Sequence, residues 1–96
     1  MNKKEIISLR SKTLDRLKEL LDRSVGIYIK SHKFYELCNP NNADDYSGIL
    51  LEIHVNRKLH YYDILLNEWK KQLNAAEFFV TYKQNALAIC FKIKEF

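Results

Sequence analysis

Residues 49–76, ILLEIHVNRKLHYYDILLNEWKKQLNAA, change period in mid-course. Ile49, Leu51, Ile53 and Val55 alternate with Leu50, Glu52, His54 and Asn56, the two-residue period of a strand with one apolar face. From about residue 60 to 76 the spacing turns helical. Tyr62, Leu65, Leu66, Trp69, Leu73 and Ala76 fall on one side, with Glu68, Lys70, Lys71 and Asn74 on the other. Asn56 or Asp63 is the expected N-cap. If Asp63 caps, residues 59–62 extend the strand or form a turn. A strand of about 49–56 that feeds directly into a helix gives the chain a mixed α and β character.

Working outward, residues 3–23 carry Ile6, Ile7, Leu14, Leu17, Leu20 and Leu21 mostly at three- and four-residue steps, without Gly or Pro, and this predicts a six-turn amphipathic helix ended near Gly26. Val25, Ile27 and Ile29 then alternate with Tyr28 and Lys30, a strand over about 25–35. Residues 38–48 concentrate Pro40, Gly48 and several Asn, Asp and Ser residues, and this stretch reads as the one long loop. Beyond the second helix, strands over about 78–83 and 86–94 bracket Lys83-Gln84-Asn85, a tight hairpin. The order is α-β-β-α-β-β with short connections, so the expected fold is a single α+β domain whose four-stranded sheet is mainly antiparallel and carries packed helices.

Ninety-six residues leave little chain for a second core, and 47% apolar residues exclude a disordered or low-complexity chain. The net charge of +4 conceals a pattern. Residues 1–35 sum to +5, residues 36–68 to −4 and residues 69–96 to +3, so an acidic middle lies between basic flanks. Such a surface suits a protein partner at least as well as a polyanion. No apolar leader opens the sequence, and the longest uninterrupted apolar run is Ala86–Phe91, so a cytoplasmic protein without membrane insertion is expected. Cys38 and Cys90 read as thiols of a reducing compartment rather than a disulfide or zinc framework. The preference for Lys, Asn, Ile, Tyr and Phe over Gly, Ala, Arg and Pro is that of an AT-rich source, such as a phage or mobile element.

Four constellations bear on chemistry. Glu52, His54, His60 and Asp63 are metal-ligand types at a strand–helix junction, but they lack a recognised ligand spacing and read as a solvated edge. Asp44 or Asp45 with Glu52 and His54 resembles the acidic pattern of metal-dependent nucleases. Here the seven extended residues between them span roughly 23 Å, and a His stands where the Lys is expected. His32, His54 and His60 with Arg57 or Lys58 contain the groups of an acid–base ribonuclease, with no motif to assemble them. Finally, Tyr28, Lys30, His32 and Phe34, with Phe79, Thr81 and Lys83, and Ala88, Cys90, Lys92 and Lys94, are expected on the strand faces opposite the core. Aligned, they make a basic, aromatic platform of the kind that binds single-stranded nucleic acid.

The first helix offers Ile7, Leu14 and Leu21 at heptad spacing with Leu17. Arg10 and Ser24 interrupt the seam, so packing on the sheet is expected ahead of helix-mediated homodimerisation. Gly occurs only at positions 26 and 48, which excludes a Gly-rich phosphate cradle, a dinucleotide fingerprint and a nucleophile elbow. No cofactor, metal or catalytic residue is assigned. The functional expectation is a small non-enzymatic protein, an inhibitor, regulator or adaptor, that docks on a protein through Asp44, Asp45, Tyr46 and Glu52. The alternative is a nucleic-acid binder using Arg16, Tyr28, Lys30, His32, Lys83 and Lys92, and a small ribonuclease is the second.

Overall fold

A computed structural model describes residues 1–23, 29–55, 62–83 and 86–95. The chain enters α1 (Lys3–Arg23) through a reciprocal cap. The Glu5 amide donates to Asn2 Oδ1 at 2.8 Å and the Asn2 amide donates to Glu5 Oε1 at 3.1 Å, which satisfies two amides that the first helical turn leaves open. Ile6, Leu9, Thr13, Leu17 and Leu20 form the buried stripe of α1. Leu14 is half-buried beside it, whereas Ile7 is 54% exposed. The expected stripe therefore held Ile6, Leu17 and Leu20 correctly, wrongly included Ile7, and missed Leu9 and Thr13. Thr13 counts as polar in sequence, but its hydroxyl donates to the Leu9 carbonyl at 2.7 Å inside the helix and so needs nothing from the sheet. With Ile7 outside, the heptad seam proposed for dimerisation is not the face that α1 buries.

β1 (Ile29–Asn39) and β2 (Asn42–Val55) form a long antiparallel hairpin in which Asn39 opposes Asn42 across Pro40-Asn41. The stretch expected as a loop is instead the hairpin's tip. The Asn41 amide donates to Asn39 Oδ1 and the Asp44 amide to Asn42 Oδ1. The turn-forming side chains thus close a two-residue connection and leave the rest of the stretch in ladder. α2 (Tyr62–Gln72) follows and is shorter than expected at its end. Asn74 takes φ 53°, its amide donates to the Lys71 carbonyl, and the Ala75 amide donates to the Lys70 carbonyl. This pair of bonds with a left-handed Asn terminates the helix, so Ala75 and Ala76 leave it for the sheet. Residues 56–61, which hold the alternative cap Asn56, lie outside the described residues, as do residues 24–28 with Val25, Ile27 and Tyr28.

β3 (Glu77–Lys83) and β4 (Ala86–Ile93) form the second hairpin. The four strands pair antiparallel in the order β1-β2-β4-β3, which makes the α+β architecture α-β-β-α-β-β. Ile49, Leu51, Ile53 and Val55 of β2 oppose Ile93, Phe91, Ile89 and Leu87 of β4, all eight buried, and on β3 Phe78 meets Phe91 at 5.9 Å between ring centroids. α1 packs chiefly on β2, and α2 touches α1 and β3, burying Leu66, Trp69 and Leu73 in the same core. None of the helices is long and apolar enough to cross a membrane among the described residues.

β2 leaves the four-stranded region at Gly48, whose φ of +153° is one that side chains rarely adopt. A Cβ there would lie 2.5 Å from the Ile93 carbonyl oxygen. Gly48→Ala should therefore cost about 2 kcal/mol or more. A urea titration checks this: the midpoint falls while the m-value holds.

Candidate functional site

Both helices lie on one face of the sheet, and no described residue forms a layer over the other. Directly opposed residues share a face, so the register writes this open face as three rows. Lys33, Glu52, Cys90 and Phe79 make the central row. Tyr35, Leu50, Lys92 and Glu77 lie on one side of it, and Ser31, His54, Ala88 and Thr81 on the other. Ala88 and Cys90, the short side chains that β4 turns to this face, are buried. Phe79, 50% exposed, opposes Cys90 from β3, and Glu52 opposes it from β2. Tyr35, 41% exposed, stands beyond Glu52.

The polar groups of this face are interlinked. Tyr35 donates from its hydroxyl to Glu52 Oε2 at 3.3 Å, and His54 Nε2 lies 3.3 Å from the same oxygen. Lys33 Nζ sits 5.3 Å from the Tyr35 ring centroid, and Lys92 Nζ lies 3.5 Å from Glu77 Oε1. This face thus carries both signs of charge, with the Glu52 carboxylate in its middle.

The platform drawn from sequence needs correction in β1. Ile29 opposes Val55 and Ser31 opposes His54, so Lys30 is an extra residue in a β-bulge. The bulge reverses the facing of the residues from Ser31 to Leu37, where the register next shifts. His32 and Phe34 oppose Ile53 and Leu51 and belong to the helix side, where His32 meets Phe34 edge-on at 5.7 Å and the Arg10 guanidinium covers Phe34. Lys33 and Tyr35 take their place on the open face. Phe79, Thr81, Ala88, Cys90 and Lys92 fall where expected, whereas Lys94 lies beyond the end of β4, beside Glu5 and Lys12 of α1. Arg16 lies on α1, 3.7 Å from Glu19, far from this face. The six residues of the nucleic-acid alternative therefore do not form one surface: Arg16 and His32 are on the helix side, Lys92 belongs to the open face, Lys30 is in the bulge, Lys83 is the last residue of β3, and Tyr28 lies outside the described residues.

The residues assigned to a protein partner also separate. Asp44 is exposed near the hairpin tip. Asp45 is engaged within the fold: its Oδ1 accepts from the Met1 ammonium at 2.8 Å and its Oδ2 from the Asn39 side-chain amide at 3.2 Å. Tyr46 is half-buried against the core, and its amide donates to the Met1 carbonyl. Glu52 is the one member of the set on the open face. The two described histidines, His32 and His54, lie on opposite faces of the sheet, so they do not pair as acid and base; His60, Arg57 and Lys58 are outside the described residues. No group of three or more His, Cys, Asp or Glu with metal-holding geometry occurs among the described residues. Cys38 and Cys90 stand on non-adjacent strands, the first exposed and the second buried.

No protein-family model, curated protein or solved structure matches this chain.

The Met1 ammonium and the Asn39 amide hold the Asp45 carboxyl below its ordinary value. A depressed folded-state pKa contributes stability above the unfolded carboxylate value, and that contribution fades as pH falls through the folded value. Asp45→Asn should lower the melting temperature at neutral pH, and the gap from the parent should close in acid. A gap that persists unchanged at low pH would assign the effect to packing.

Proposed function

We propose that this chain is a non-enzymatic binding protein, an inhibitor, regulator or adaptor, that docks a protein partner on the open face of its sheet. The observation that carries this reading is the pair of half-exposed rings, Phe79 on β3 and Tyr35 on β1, which flank Glu52 on a face without a described covering layer. Exposed aromatic rings beside small buried residues are what a partner's apolar side chain needs to anchor on. Polar groups of either sign at the margins then fix its orientation.

The charges favour a protein over a nucleic acid. A single-strand binder sets aromatic rings among cations so that bases stack while phosphates are neutralised. Here Lys92 is engaged by Glu77, Lys33 lies over Tyr35, and Glu52 stands between the rings. A phosphate chain laid across this face between the rings would meet that carboxylate. A peptide backbone, with donors as well as acceptors, would find a partner in it. Asp44 and the hairpin tip form a separate acidic surface that serves as an additional contact in this reading.

Immobilised protein exposed to a lysate of its source should retain a stoichiometric protein partner. Phe79→Asp and Tyr35→Asp, each with parent-like circular dichroism, should weaken that retention about tenfold or more, while Ile7→Asp on the outer side of α1 should leave it unchanged. Recovery of nucleic acid alone, released by raised salt, would instead support the nucleic-acid reading.

A further inference from the structure

The two edges of the sheet are built differently. β1, at one edge, has a bulge at Lys30, an exposed Lys33 and register irregularities near both ends. These are devices that keep an edge from pairing with another chain. β3, at the other edge, has none of them. Its register against β4 runs unbroken from Glu77↔Lys92 to Lys83↔Ala86, it holds no Pro or Gly, and its only charged residues are the first and the last. Alternate residues of such a strand aim backbone N–H and C=O groups outward, where a further strand would pair.

The sequence of that edge is complementary to itself. Two antiparallel copies of residues 77–83, EFFVTYK, centred on Val80 place Glu77 opposite Lys83, Phe78 opposite Tyr82, Phe79 opposite Thr81 and Val80 opposite Val80. A one-residue slip opposes residues of different faces and is excluded by the pleat. A two-residue slip, to a centre at Phe79 or Thr81, leaves Lys83 or Glu77 without a counterpart in the strand. Only the Val80-centred register pairs all seven positions, and it sets opposite charges against each other at both ends. Glu77, already 3.5 Å from Lys92 of its own chain, would then stand between two cations.

We propose that this chain forms a twofold homodimer through antiparallel pairing of β3 with β3, giving one eight-stranded sheet. The open faces of the two copies then join across the twofold axis, with Phe79 of each copy opposite Thr81 of the other. Seven paired residues per strand make a small interface, so the dimer is concentration-dependent rather than obligate.

Light scattering or sedimentation across a concentration series reads this directly. The parent should rise from 11.5 kDa toward twice that mass. Glu77→Lys and Lys83→Glu, each alone, set like charges together at both ends and should move the transition about tenfold or more to higher concentration. Mixing the two single variants should restore dimerisation, because each then meets its opposite, and so should the double exchange Glu77→Lys/Lys83→Glu. Restoration by mixing cannot arise from misfolding. A parent that stays at 11.5 kDa to its solubility limit, single variants that dimerise like the parent, or a mixture that stays monomeric would each overturn the proposal.

Discussion

The facing of Ile49, Leu51, Ile53 and Val55 against Ile93, Phe91, Ile89 and Leu87 is the constraint on which the molecule turns. These eight side chains form a continuous apolar floor across the two central strands, and both helices are amphipathic segments that require such a floor. Sheet order follows from it. β4, apolar on one face and short-chained at Ala88 and Cys90 on the other, takes the centre beside β2. The strands that alternate less cleanly, β1 and β3, take the edges. Because the pleat has a period of two, fixing which residues of β2 face the helices also fixes which face away, so Glu52 and His54 are committed to the open side by the same pairing that builds the core.

Much of the architecture was legible because its signals are local. The alternation in β2, the helical spacing around Trp69 and the alternation in β4 need only a few neighbouring residues to be read, while the tight turn expected at Gln84 and Asn85 lies outside the described residues. Two features were not legible for a definite reason. The Lys30 bulge is a property of pairing between strands, invisible in β1 alone, yet it reverses the facing of His32, Phe34, Lys33 and Tyr35. The Asn- and Asp-rich stretch after Cys38 has the composition of a loop. It became a hairpin tip because its side chains bond to local amides and leave the backbone ladder intact.

The same distinction explains the candidate site. Phe79, Thr81, Ala88, Cys90 and Lys92 were placed correctly because the register between β3 and β4 is unbroken, whereas Lys94 was not, because β4 ends at Ile93. Asp45 and Tyr46 looked available because sequence gives no sign that the Met1 backbone, more than forty positions away, comes to lie beside them. Acidic character alone therefore pointed at residues already occupied within the fold, whereas the ring of Tyr35 reaches the open face only through the bulge, on the face where alternation in β3 had already placed Phe79.

Gly48 marks a boundary that divides β2 into two regimes of local stability. From Ile49 to Val55 the strand is hydrogen-bonded on both sides and roofed by α1, so opening it means breaking the core. From Asn42 to Ser47 it pairs with β1 alone, and a two-stranded ribbon is only marginally stable by itself. The Met1 contacts with Asp45 and Tyr46 are the tether that holds this arm. One strand thus joins a segment that opens only with the whole molecule to a segment that opens on its own. Amide exchange along it would fall into two steps at a single glycine rather than grade smoothly from tip to centre.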